Sequence, residues 1–138
     1  MPDLHAFVSP QIVDASDDVL VDEAAACLDR FTDAFNACDA EGMDRNLHFP
    51  HVMYSGSDML VWESAGQHPP DFFSRLEESG WAKTLYESKE AVLATKDKVH
   101  FRVAYTRCDI QNRVISRHAN LWIATKIANK WGIVLRSY

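Results

Sequence analysis

Histidine, tyrosine and arginine carry most of the chemistry this chain can offer. His48 and His51 flank Phe49-Pro50, and imidazole takes or gives a proton near neutral pH. His51 opens the run His51-Val52-Met53-Tyr54, which reads as a strand, so its ring can turn inward as a general acid or base or stay solvated. For His48 the plainer role, bonding backbone groups at the junction, comes first. Tyr105 and Arg107 share one face of an alternating stretch with Val99, Phe101 and Val103. An apolar face ending in Tyr and Arg suits a pocket with an apolar floor and a polar rim. There Arg107 can clamp a carboxylate or enolate through two N–H donors, or lean into water. His118, Asn120 and Trp122 share a parity further on, and Trp62-Glu63 end a short apolar run. Trp62 and Trp122 offer stacking surfaces or simple packing. Arg136 alternates with Trp131, Ile133 and Leu135, and so faces a pocket or an interface opposite that run. Asp71, beside Pro70, reads as a helix-start anion. No Gly-rich phosphate loop, serine elbow or zinc signature is present. The only conceivable metal cluster, His48, His51 and His118, falls short of a convincing ligand set, so no metal and no cofactor are expected.

These residues need elements to hold them. Val21, Ala24, Leu28, Phe31, Phe35 and Cys38 recur at steps of three and four, which predicts an amphipathic helix of about five turns behind the caps Ser16, Asp17 and Asp18. Asp39 caps a second, shorter helix over Ala40 to Leu47, ended before Pro50. His51–Tyr54 and Met59–Trp62 flank Ser55-Gly56-Ser57-Asp58 and read as a hairpin. Pro69-Pro70-Asp71 starts a helix carrying Phe72, Phe73 and Leu76, with Gly80 as its stop. Strands follow over Lys83–Ala94, Val99–Arg107, Val114–Ile127 and Trp131–Tyr138. Helices first and long strands last give an α+β class. One face of the sheet must lie under the helices. The other face is also rich in apolar side chains, Trp122 among them if Leu121 and Ile123 point inward, so a second copy of the chain is expected to cover it.

The whole-chain balance narrows the partners. With 138 residues the chain makes one domain, residues 1–17 forming an N-terminal arm. A net charge of -6 argues against nucleic acid and against an anionic membrane surface. No apolar run approaches a membrane span, and the acidic start lacks the features of a secretion signal. Cys27, Cys38 and Cys108 have no paired spacing and are expected as thiols, which points to the cytoplasm.

The order of elements, with Phe35-Asn36-Ala37-Cys38-Asp39-Ala40-Glu41-Gly42, Leu47-His48-Phe49-Pro50-His51-Val52, Tyr105-Thr106-Arg107-Cys108-Asp109, Leu121-Trp122-Ile123-Ala124-Thr125-Lys126 and Lys130-Trp131-Gly132-Ile133-Val134-Leu135-Arg136-Ser137, resembles the nuclear transport factor 2-like (SnoaL-like, cystatin-like) superfamily over residues 18 to 138. The resemblance implies a cone of N-terminal helices on a curved, mixed but mostly antiparallel sheet, a pocket between the layers, and a homodimer through the sheet. Fold alone does not choose a chemistry. The aspartate, tyrosine and protonated-aspartate set of ketosteroid isomerases finds no match here, and Asn129 replaces the glycine common before the last strand.

The expected function is a small-molecule pocket, as a lyase or isomerase acting by acid–base chemistry on a cyclic or carbonyl metabolite. His51 is the expected acid or base, with Tyr105 and Arg107 as its hydrogen-bond partners. His48, Tyr54, Trp62, His118, Trp122 and Arg136 are the expected ligand contacts. The alternative is a non-catalytic dimeric binding or association module.

Overall fold

In the computed structural model the described residues are 18–138. The expected arm over 1–17, with its caps Ser16 and Asp17, lies outside the described residues. Three helices, α1 (Asp18–Asn36), α2 (Ala40–Arg45) and α3 (Phe72–Glu78), accompany six strands, β1 (Leu47–Ser55), β2 (Asp58–Trp62), β3 (Lys83–Thr95), β4 (Lys98–Cys108), β5 (Val114–Ile127) and β6 (Lys130–Ser137). The strand order is β2-β1-β6-β5-β4-β3. Every neighbouring pair is antiparallel except β1 with β6. Among the described residues, no helix is long and apolar enough to cross a membrane.

The helical stripe works as its spacing requires up to Phe35; Cys38, expected to end it, falls past the last helical residue at φ 54° and is exposed. Ala24, Cys27, Leu28, Phe31 and Phe35 are buried against the sheet. Burying a Leu or Phe side chain contributes roughly 1.5–3 kcal/mol. Polar pins then set the rotation of α1. Asn36 Nδ2 donates to the Thr84 carbonyl at 2.9 Å and its Oδ1 accepts from Thr84 N at 2.8 Å. Thr32 Oγ1 donates to Tyr86 Oη at 2.7 Å, and Trp131 Nε1 donates to Glu23 Oε2 at 3.0 Å. Asp39 caps α2 by accepting from Gly42 N at 3.0 Å. That helix stops at Arg45, and Leu47, expected at its end, instead opens β1. The glycine-free turn before β6 uses Ala128 and Asn129 at φ 51° and 62°. Two successive positive φ angles form the hairpin turn that matches strand twist.

Register decides which side chains meet the helices. Val99, Phe101, Val103, Tyr105 and Arg107 of β4 share the covered face with Trp122, Asn120 and His118 of β5. Trp122 therefore points inward and Leu121 outward, opposite to the arrangement that would put Trp122 on the far face. On β6 the pairing slips between Ile123↔Leu135 and Ala124↔Ile133. The extra residue, Val134, resets the alternation, as a bulge does. Ile133 and Arg136 consequently share the covered face, whereas strict alternation separates them.

Candidate functional site

A cavity of about 340 Å³ opens between α1, α3 and the β1–β2 edge of the covered face, with Phe35, Met53, Trp62 and Phe72 among its walls. A smaller chamber of about 30 Å³ adjoins it, bounded by Phe31, Tyr105 and Trp122. Phe35, Arg107, Arg136 and Tyr138 line both. The larger volume is in the range of small-ligand sites. Edge-to-face packing of Phe35 on Phe72, Phe73 and Trp81, at 5.3–5.8 Å between centroids, ties α3 to α1 and keeps the wall in place.

Arg136 is the centre of this region. Its residue is only 4% exposed. Nε donates to His51 Nε2 at 3.0 Å and Nη1 to Tyr138 Oη at 2.9 Å, while Nη2 lies 3.1 Å from Met53 Sδ. The guanidinium carbon sits 4.8 Å from the Phe31 ring centroid. No carboxylate among the described residues pairs with it. Arg107 has neither a hydrogen-bond nor an ion-pair partner among the described residues, and its Nε is buried.

His51 serves this arginine. Its ring is fully buried, Nδ1 donates to the Ile133 carbonyl at 2.9 Å, and Nε2 accepts from Arg136. The two partners fix the tautomer and leave no lone pair for substrate. Burial, and then the Arg136 charge, hold its pKa down at about 3. The acid–base role expected of His51 does not fit this geometry. It is a positioning residue for Arg136.

A different histidine has the form of a proton carrier. His68 lies in the loop before α3, lines the larger cavity, and packs on Trp62 at 4.3 Å and Phe72 at 5.6 Å between ring centroids. Its Nδ1 is 3.5 Å from Asp44 Oδ1, and these side chains are 5% and 10% exposed. The contact is long for a hydrogen bond, but neither atom has another hydrogen-bond partner among the described residues. Asp44 is itself held by the Gly66 amide, which donates to Oδ2 at 2.9 Å. His68 Nε2 has no hydrogen-bond partner among the described residues. Burial keeps the ring's pKa below the usual value; Asp44 opposes that shift and Arg136 adds to it. Sequence reasoning missed His68 because a loop residue carries no periodicity and Asp44 comes from a separate helix. The one local sign was a histidine directly before the helix-start prolines.

The other expected site residues divide. Tyr105, Arg107, Trp62, Trp122 and Arg136 line the cavities. Tyr105 Oη accepts from Asn120 Nδ2 at 2.8 Å, and burial pushes its pKa up to about 12, so it keeps a proton to donate. His118 stacks on Tyr105 at 5.0 Å and bonds Ser116 Oγ at 2.8 Å, off the cavity walls. His48 donates to the Lys130 carbonyl at 2.8 Å, its ring against Gly132, where a Cβ would come within 2.7 Å of Cδ2. Tyr54 pairs with Met59 on the uncovered face, one residue out of step with Met53. His48 and Tyr54 are thus not cavity residues. Glu63 is exposed, and Asp71 pairs with Arg75 at 2.6 Å on α3.

No protein-family model matches the chain, and no curated protein matches its sequence. Solved structures do match. A cystatin-like-fold protein of unknown function from Nostoc punctiforme superposes with a TM-score of 0.67 at 15% identity, covering 92% of each chain. A nuclear transport factor 2-like protein from Novosphingobium aromaticivorans gives 0.66 at 16%, covering 86% of this chain and 80% of that one. A ketosteroid isomerase-like protein from Erwinia carotovora atroseptica gives 0.58 at 20%, covering 88% and 95%. At such identities the likeness speaks for architecture alone: the chain has the cystatin-like, nuclear transport factor 2-like α+β fold.

Proposed function

We propose that the chain is a small-molecule pocket protein that moves protons on its ligand, as a lyase or isomerase of a small cyclic or carbonyl compound. The observation that carries this reading is His68 on the wall of an aromatic cavity, backed by buried Asp44, with Nε2 unpartnered among the described residues. In this role Asp44 orients the ring through Nδ1, and Nε2 takes a proton from the ligand or returns it. Tyr105 and Arg107 stabilise the oxyanion or enolate that develops on the ligand. Trp62 and Trp122 hold flat apolar parts of the molecule. Proton exchange tests the reading before the substrate is known. Enolisable cyclic ketones and keto acids are incubated with the protein in D₂O, and loss of the α-proton signal is followed by NMR. Exchange that drops by roughly 10²–10⁴-fold in His68→Leu supports the role. If the wild type binds members of the panel and exchanges none, the cavity is a non-catalytic binding site.

A second observation favours an assembly around this pocket. Met59, Tyr54, Leu121, Leu85 and Leu93 are exposed on the uncovered face. The occupant we assign to it is a second copy of the chain, because a stripe crossing the sheet can pair with itself about a two-fold axis. The unpaired thiols Cys27, Cys38 and Cys108 fit a reducing, cytoplasmic setting for such a protein.

A further inference from the structure

From the arrangement of donors around the two chambers we infer that the ligand is an anion, a flat carboxylate whose oxygens sit between Arg107 and Arg136 and whose ring lies among the aromatic walls. This deepens the acid–base reading above by naming the substrate class, and it rests on the same cavity.

Charge is the first support. The chain as a whole is acidic at -6, yet among the described residues no Asp or Glu lines either chamber, and both contain Arg107 and Arg136. Arg136 is nine-tenths buried, and its partners among the described residues are neutral: an imidazole nitrogen, a phenol oxygen and a thioether. A guanidinium taken out of water without a counter-charge is costly, and cation–π contact with Phe31 offsets only part of that. Arg107, on the same chambers, has no partner at all among the described residues. Two cations with no counter-ion among the described residues of the walls call for one that arrives with the ligand.

Donor polarity is the second support. Trp122 Nε1 is buried without a partner among the described residues, as is Arg107 Nε. Tyr138 Oη and Tyr105 Oη each accept an N–H, from Arg136 and Asn120, so each keeps its own proton to give. His51 spends its single lone pair on Arg136, which fixes the direction of that guanidinium. The small chamber thus offers donors in excess of acceptors, which is what carboxylate oxygens require. At about 340 Å³ the adjoining cavity has room for one aromatic ring.

Benzoate, phenylacetate and cinnamate, each against its amide, provide the probes, with binding to the full chain read by calorimetry and by the shift in Tm. The carboxylates are expected to bind about ten-fold or more tighter than the amides and to raise Tm at millimolar concentration. Arg107→Gln removes no hydrogen bond among the described residues, so it should fold and lose that preference while its affinity for the amides stays. Arg136→Lys, which keeps the charge but not the fork, should weaken carboxylate binding less than Arg107→Gln if it folds. Equal binding of acid and amide, failure of every carboxylate to bind, or a preference untouched by Arg107→Gln would each overturn the inference. Because the probes carry no reaction, the result is independent of turnover. Carboxylate preference without His68-dependent proton exchange leaves this inference standing and removes the acid–base reading; His68-dependent exchange on neutral ketones without carboxylate preference does the reverse.

Discussion

The two faces of the sheet invert the usual distribution. The face beneath the helices buries Arg136 and His51, while the open face displays Met59, Leu85, Leu93 and Leu121. Buried charges normally come paired, and exposed leucines normally come scattered. Each face therefore lacks a complement: the covered one an anion, the open one an apolar cover. The difference separates roles as well. Groups on the covered face form a directed network ending at a cavity, whereas the open face has only shape and hydrophobicity to offer a partner.

The largest expected effect lies at the covered face. His51→Leu takes the acceptor from Arg136 and the donor from the Ile133 carbonyl. Leaving a buried cation less satisfied should cost about 3–5 kcal/mol, read as a fall in the denaturant midpoint. The same substitution at His68 removes only a 3.5 Å contact and leaves Leu among Trp62 and Phe72. Its stability should fall by about 1–3 kcal/mol, because Asp44 Oδ1 loses its neighbour, while proton exchange collapses. If His68→Leu proves the more destabilising of the two, the assignment of structural and chemical roles to these histidines is reversed.

Acid gives a finer test of the same network. His51 has a folded pKa near 3 against an ordinary 6.5. The unfolded chain then binds more protons between those values, so the stability that neutral His51 contributes is full above pH 6.5 and is lost as pH falls toward 3. His68 is shifted in the same direction. Wild-type Tm should therefore decline across that window, and His51→Leu, though less stable at pH 7, should decline less steeply. A His68 that works as a base remains neutral below pH 6.5, so the acid limb of the exchange rate should have its midpoint under that value. A midpoint above it would mean that another group carries the proton.

Much of this was legible in the residues. The stripe from Val21 to Phe35 and the alternation from Val99 to Arg107 specify an element and a face directly, because each pattern has one period and one buried side. Strand β5 runs over the residues its composition indicated, Val114–Ile127. Facing was harder where both sides of a strand are apolar, as around Trp122, since alternation then carries no polarity. Arg136 does line the cavities, but its expected placing opposite Ile133 is undone by one bulged residue, Val134, which no local composition announces. His68 and Asp44 meet only through the fold. Neither has a spacing relative to the other that physics would favour, so their pairing had to be seen.

The smallest effect belongs to the open face. Leu121 is 38% exposed and opposite Arg102 in the β4–β5 register, so inside one chain Leu121→Lys adds only the repulsion of two cross-strand cations. The fall in unfolding free energy at low protein concentration should stay within about 1 kcal/mol. Its consequence appears between chains: a lysine at this point of a two-fold interface meets its own copy nearby, and like charges on a desolvated surface repel. Sedimentation equilibrium should then find wild-type dimers and variant monomers, with carboxylate binding unchanged, because Arg107 and Arg136 are on the other side of the sheet. Monomeric wild type would leave the apolar stripe without the proposed partner. A dimer that tolerates Leu121→Lys would put the contact elsewhere on the molecule. Loss of ligand binding along with the dimer would show that the two faces are coupled, and that Arg136, one residue from Leu135 on the open side, feels the assembly through β6.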